Sequence, residues 1–254
     1  MKKGLTAFQL KLIAVIAMVI NHAAHIVVLL PIEQGIMSPM LLSMDIIGKL
    51  TAPIMCFFVV EGYYHTSDLR KYLRRMFLFA VISQVPFYLF EHNLPVSFGM
   101  FIRDFAHVNV IFTLFMGLLA LTVWKSEKLH IALRIPLVVL IVYLTRSSDW
   151  RIYGVLWVLA FALFRGTFKK QATAFTAVTA VRVFRNHVMR GPRLLPLAAL
   201  NMKTIIAQSC SVLALIPLYF YNGEQGRKSK YGFYIFYPAH LLVLAIIKFM
   251  ILYG

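Results

Sequence analysis

Acidic residues are scarce in this chain: 9 Asp plus Glu stand against 26 Lys plus Arg in 254 residues, and charged residues make up only 14%. Soluble domains carry about 25% charged and roughly 45–50% apolar residues, whereas hydrophobic residues here reach 61%. A soluble globule is excluded on that balance. Cysteine is also rare. Cys56 and Cys210 both fall inside apolar stretches, so neither a disulfide framework nor a zinc cluster can be assembled, and both read as small buried side chains. The sequence lacks a P-loop, a G-x-S-x-G elbow, an H-E-x-x-H pair and a dinucleotide fingerprint, which disfavours nucleotide hydrolysis and serine or zinc chemistry. Repeats, low-complexity tracts and soluble linkers are missing as well, so residues 1–254 read as one membrane domain with no separate catalytic part.

What is present is a succession of apolar runs close to the length a bilayer demands. The run from Leu12 to Leu30 is too long for a signal-peptide core and no small-residue cleavage site follows it, so it stays as the first span. Further spans fall near 41–64, 72–90, 106–124, 129–146, 150–165, 171–187, 203–221 and 232–252. These describe an all-α, polytopic membrane helix bundle of nine to ten spans. In the run at 171–187, Ala174, Ala177 and Ala180 suit close helix packing away from lipid.

The net charge of +17 would suggest nucleic acid in a soluble protein; in a membrane protein it reports basic cytoplasmic loops. No nucleic-acid partner follows from it. With the N-terminus in the cytoplasm, inner segments hold Lys2, Lys3, Arg70, Lys71, Arg74, Arg75, Lys125, Lys128, Arg165, Lys169, Lys170, Arg227, Lys228 and Lys230. They outnumber the outer basic residues Arg103, Arg146, Arg151, Arg185, Arg190 and Arg193. The stretch from Arg182 to Lys203 does not fit this orientation. Either it is an anion-binding loop, or a short re-entrant element near Leu194 to Asn201 returns it inward, and the second reading is preferred.

Ionisable groups inside spans mark chemistry, because an ionised one at mid-membrane costs about 2.5–3.5 kcal/mol on insertion scales. Asn21, His22 and His25 interrupt the first span. His22 lies about 15 Å beyond Leu12 at 1.5 Å per residue, near the midplane, and Lys11 shares its helix face. A neutral imidazole there suits a general base; a histidine bridging two helices explains it equally well. A two-histidine metal site lacks a neighbouring carboxylate, and no metal is expected. In the second span Asp45 and Lys49 are spaced as a neutralised i, i+4 pair, Pro53 as a kink, and Glu61 and His65 as a second pair. Structural pairing is the stronger reading for Asp45 and is level with function for Glu61.

Ser67 and Asp68 can cap the next helix, whose first turns carry Arg70, Lys71, Arg74 and Arg75. That combination reads either as an ordinary positive-inside anchor or as a phosphate-binding helix start. Arg182, Arg185, Arg190 and Arg193 form a lesser candidate clamp. Asn109, and Asp149 with Tyr153, are placed for helix-end hydrogen bonding. Tyr237 and Pro238 suit an interface anchor, while His240 invites a role.

The runs KLIAVIAMVINHAAH, IGKLTAPIMCFFVVEGYYHTSDLRKYLRRM, NVIFTLFMGLL, SDWRIYGVLWVL and YIFYPAHLLVL resemble, in order, the TraX family of bacterial integral membrane proteins. That family is associated with N-acetylation of pilin and related to the wider superfamily of transmembrane acyltransferases. The resemblance implies a multi-pass protein of the bacterial cytoplasmic membrane. It further implies transfer of an acetyl or other acyl group from cytosolic acetyl-CoA to a hydroxyl or amine on a glycan, a peptide or a pilin-like protein. The family's histidine falls on His22. Asn21 stands where the family usually has aspartate, and Lys49 where it usually has arginine; Asn21 can orient His22 by a hydrogen bond but cannot stabilise an imidazolium by charge. The LRKYLRRM run favours Arg70, Lys71, Arg74 and Arg75 as contacts for donor phosphates. His25, Lys49, Glu61, His65, Asn109, Asp149, Tyr237 and His240 are expected lining groups. A carrier and a non-catalytic assembly partner remain the rival readings, and the oligomeric state stays open, a homodimer included.

Overall fold

The computed structural model describes residues 4–30, 34–92, 99, 107–186, 202–228 and 231–254. The expected re-entrant element near Leu194 to Asn201, together with Lys2, Lys3, Arg103, Arg190, Arg193 and Lys230, lies outside the described residues. The helices among them are α1 (Ala7–Val27), α2 (Gln34–Gly48), α3 (Thr51–His65), α4 (Leu69–Glu91), α5 (Val110–Trp124), α6 (Ile131–Leu144), α7 (Arg151–Leu163), α8 (Phe168–Phe184), α9 (Met202–Ser209), α10 (Leu215–Tyr219) and α11 (Gly232–Tyr253). Among the described residues no strand forms, apart from two isolated bridges.

Polar residues at the starts explain where several helices begin. Thr6 and Gln9 close a capping box on α1, and Asp68, the cap expected from the sequence, accepts from the Lys71 N–H at 2.9 Å to start α4. α2 and α3 are two parts of one apolar stretch, Pro39–His65. They are separated at Lys49–Leu50, because Pro53 has no N–H for the Lys49 carbonyl and its ring crowds that carbonyl.

The span count needs correction. Among the described residues, four helical stretches are long and apolar enough to cross a membrane: Ala7–Val27, Pro39–His65, Leu69–Glu91 and Gly232–Tyr253. The segments expected as spans near 106–124, 150–165 and 203–221 contain shorter apolar helices, Val110–Trp124, Arg151–Leu163 and Ile205–Tyr219. Helices of 15 and 13 residues extend roughly 20–22 Å at 1.5 Å per residue, short of a hydrocarbon core about 30 Å thick. The apolar runs overshoot because they continue through caps: His107 to Asn109 precedes α5 and Thr145 to Trp150 precedes α7 as non-α-helical backbone. At 131–144 and 168–184 the helices hold 14 and 17 residues, below the same threshold. The protein is a helical membrane protein. Large apolar side chains left exposed on α6 (Ile131, Leu133, Ile135, Val139, Leu140 and Tyr143) suit hydrocarbon surroundings.

The chain divides into two compact units, Met1–Met55 with Leu163–Arg227, and Cys56–Ala162 with Lys228–Gly254. In the first unit α1 packs on α2. Gly48 faces Asn21 while Thr51 Oγ1 donates to the Ala14 carbonyl at 3.0 Å, so α2 and the start of α3 run antiparallel to α1. Residues 5–8 are held to the 220–225 segment by Leu5 N–H to Phe220 O (2.7 Å), Ala7 N–H to Glu224 O (2.8 Å) and Phe8 N–H to Gln225 O (3.1 Å).

In the second unit α4 packs on α11 and on α5. Phe79 stacks on Tyr234 and Lys248 Nζ donates to the Phe90 carbonyl at 3.2 Å, so α4 and α11 run parallel. Gln84 meets Asn109 and Phe77 meets Phe115, so α5 runs antiparallel to α4. α5 and α7 run parallel and in register, since Gly154 lies against Thr113 and Gly117 against Val158 at the same offset. The fully buried Cys56 Sγ donates to the Gly154 carbonyl at 3.6 Å, and Phe57 packs edge-on against Phe161.

Asn109 ties this unit together. Its Oδ1 accepts from the N–H groups of Ile111 (3.0 Å) and Phe112 (3.2 Å), and its Nδ2 donates to Ala80 O (2.7 Å) and Gln84 Oε1 (2.8 Å). Gln84 Nε2 in turn donates to His107 O at 2.9 Å. Asn109→Ala should therefore cost more than an ordinary cap, about 2 kcal/mol or above, because the Nδ2 bonds to the Ala80 carbonyl and Gln84 Oε1 on α4 are lost as well, the latter keeping only the residue-109 N–H. Thermal unfolding of the detergent-solubilised variant checks this; a midpoint equal to the parent's would reject it.

Candidate functional site

Each unit holds its own set of polar groups. In the first, Asp45 is the centre. Lys49 Nζ donates to Asp45 Oδ1 as an i, i+4 ion pair, and Asn21 Nδ2 approaches the same oxygen from α1 at 3.4 Å. Gly48 permits this approach: a Cβ there would collide with the Asn21 side chain. His22 follows Asn21 and is half-buried, as is Lys11, whereas His25 is exposed. α1 ends at Val27, which puts His22 five residues, roughly 8 Å, before the helix end. It lies closer to that end than the midplane position expected from the apolar run, since the last residues of the run, Val28 to Leu30, have left the helix.

In the second unit the basic start of α4 is divided in function. Lys71 Nζ pairs with the Asp68 capping carboxylate at 3.2 Å. The Asp68 carboxyl is held below its ordinary value, first by the Lys71 backbone N–H and then by the Lys71 side chain. Arg75 turns inward instead. Its guanidinium lies 5.3 Å from the ring centres of both Tyr72 and Tyr234, a cation–π arrangement, and Gly62 leaves room for the Tyr72 hydroxyl. Arg70 and Arg74 are exposed and, among the described residues, take part in no ion pair. These two are the residues of the predicted cluster best placed to meet a soluble anion.

The remaining expected lining groups also fall in the second unit. Asn109 is buried and its donor and acceptor groups are committed to the α5 cap and to α4. Glu61 and His65 form the expected pair, with His65 Nδ1 at 2.8 Å from the Glu61 carbonyl oxygen and 3.6 Å from Glu61 Oε2. Asp149 is exposed at the start of α7, its N–H donating to Val108 O at 3.0 Å. Tyr237 and His240 are buried. The Tyr237 hydroxyl faces the Val110 amide, with Asp149 within electrostatic reach. His240 stacks on Phe236, and its Nδ1 lies 2.9 Å from the Phe236 carbonyl oxygen.

Sequence reasoning missed Gln84, Tyr72 and Tyr234. Gln84 carried a signal, being an amide inside the apolar run of α4. The tyrosines carried none, since aromatic residues near span ends are ordinary anchors. Among the described residues no group of three His, Cys, Asp or Glu side chains is placed to hold a metal ion.

Comparison with known proteins supplies the family context. A family model described as TraX protein matches residues 7–248. The chain is 34% identical over 253 residues to a Dichelobacter nodosus protein named "Probable fimbrial assembly protein FimC, serogroup H1", covering 96% of this chain and 96% of that one. No solved structure matches.

Proposed function

We propose, since this chain belongs to the TraX family, that it is a membrane acyltransferase moving an acetyl or other short acyl group from cytosolic acyl-CoA to a hydroxyl or amine. The acceptor is a fimbrial or pilin-like protein, or the glycan or peptide associated with one, in keeping with the name of the Dichelobacter nodosus relative. His22 takes the proton from the acceptor as that atom attacks the thioester carbonyl; the carbon–sulfur bond breaks, and the coenzyme A sulfur leaves and receives the proton. Arg70 and Arg74 hold donor phosphates by charge-assisted hydrogen bonds. Acyl-CoA is a co-substrate, and the chemistry calls for no metal.

The observation that carries this reading is the network of Asn21, Asp45 and Lys49 beside His22. Position 21 lacks the carboxylate the family usually places there, and Asp45 brings one to the Asn21 amide from the neighbouring helix. Asn21 thereby gains a fixed orientation, while Lys49 neutralises the charge that makes it possible.

The test is transfer of labelled acetyl from acetyl-CoA by the purified protein, with donor affinity measured alongside. Arg70→Ala combined with Arg74→Ala should weaken donor binding at least tenfold, each lost charge-assisted bond being worth about 1.5 kcal/mol or more. Unchanged donor affinity would remove both from the site. Arg75→Ala should act on folded yield instead, through the loss of its two tyrosine partners.

One observation favours a carrier as a second reading: the interruption of Pro39–His65 at Lys49–Leu50, since broken spans with ionisable groups are used for solute binding in transporters. Solute uptake by reconstituted liposomes with no acyl transfer would select it.

A further inference from the structure

The short helix α5 of the second unit begins at a buried cap, Asn109, part-way along the long helix α4. Asn109 is bonded to Ala80 and Gln84, and α4 continues to Glu91, roughly 10 Å past Gln84. α7 runs in register with α5, so its first turn lies at the same level. Both helices present their N-terminal, electropositive ends there. His240 belongs to this level too, midway between Tyr234 beside Phe79 and Lys248 beside Phe90.

Three hydroxyls share the layer: Ser83 on α4, Thr113 one turn into α5, and Tyr153 in the first turn of α7. Ser83 and Thr113 are fully buried and Tyr153 is 3% exposed. Among the described residues, none of Ser83 Oγ, Thr113 Oγ1 and Tyr153 Oη has a hydrogen-bond partner. A buried hydroxyl without a partner is costly, and one is rare enough to require explanation. Three on three neighbouring helices, within about one helical turn of one another in depth and near two helix N-termini, describe donors awaiting an oxygen.

We infer that this layer is a binding site for the carbonyl oxygen of a small neutral ligand of the ester, thioester or amide class. The helix ends and hydroxyls favour an electron-rich oxygen, while Arg151, in the same first turn of α7, is exposed and so is not turned into the buried layer to balance a full negative charge, which low-dielectric surroundings would penalise. The apolar neighbours Ile111, Leu114 and Val155 suit a short hydrocarbon body. Binding here asks nothing of His22, so failure of the acyltransferase reading leaves it standing.

The experiment uses the full-length protein in detergent with propionamide, sodium propionate and sodium chloride as probes. Thermal unfolding and tryptophan fluorescence are the readouts, Trp150 and Trp157 flanking Tyr153 on the chain. Propionamide should raise the unfolding midpoint and perturb the fluorescence with a saturable concentration dependence, and sodium chloride should not. Thr113→Val and Tyr153→Phe should each weaken that response about tenfold. Without ligand, their midpoints should equal or exceed the parent's, because an unpartnered hydroxyl has been removed. Ser83→Ala carries the same expectation should either variant fail to fold. Absence of a propionamide response, its full retention in all three variants, or a stronger response to propionate would overturn the inference.

Discussion

His22→Ala should lower acyl transfer from labelled acetyl-CoA by about 10²–10⁴-fold, the range a positioned general base supplies, with no loss of membrane-inserted protein. The variant separates chemistry from architecture. Large side chains such as Leu10 and Met18 form the buried part of α1, whereas His22 is half-buried near the end of the helix, so deletion of the ring leaves the packed stretch intact. Donor affinity should also survive, since Arg70 and Arg74 belong to another helix. Turnover at the parent's rate would eliminate His22 as the base. A parallel fall in folded yield would assign it to helix bridging instead.

The second large effect is expected at Lys49. Lys49→Ala removes the cation that neutralises Asp45 and leaves the carboxylate beside α1 without its counter-charge, and breaking one member of a partly buried pair is destabilising. The unfolding midpoint should drop by several degrees. Joining Asp45→Asn to Lys49→Met should restore most of the loss, because removing both members of a partly buried pair is far less costly than removing one. The restored protein nevertheless lacks the carboxylate that fixes Asn21, so it should remain impaired in transfer while recovering stability. Recovery of both together would make the network purely structural.

Local features of this protein were legible in its sequence because they depend on residues a few positions apart. The Asp68 cap, the Asp45–Lys49 and Glu61–His65 pairs and the interruption ahead of Pro53 all arise from i+3 and i+4 geometry. Asn109 reads as fit either for helix-end hydrogen bonding or for lining a site; it does cap α5, but its bonds to Ala80 and Gln84 join different helices and leave no trace in local spacing. The same holds for Asn21 with Asp45 and for Arg75 between Tyr72 and Tyr234. Span lengths were overread for another reason: hydropathy does not register where a helix starts. Val108 and Val110 are equally apolar, yet Asn109 between them turns the chain and sets the length of α5.

Cys56 gives the protein an internal clock. Its sulfur is sealed against Gly154 and fully buried, so a thiol-alkylating reagent gains access only when the packing of α3 on α7 opens. Once Cys210 has been replaced by serine, the rate of alkylation in native membranes, followed by mass spectrometry, records the opening frequency without heat or denaturant. Ligands that tighten the second unit then reveal themselves as slower labelling of a single atom.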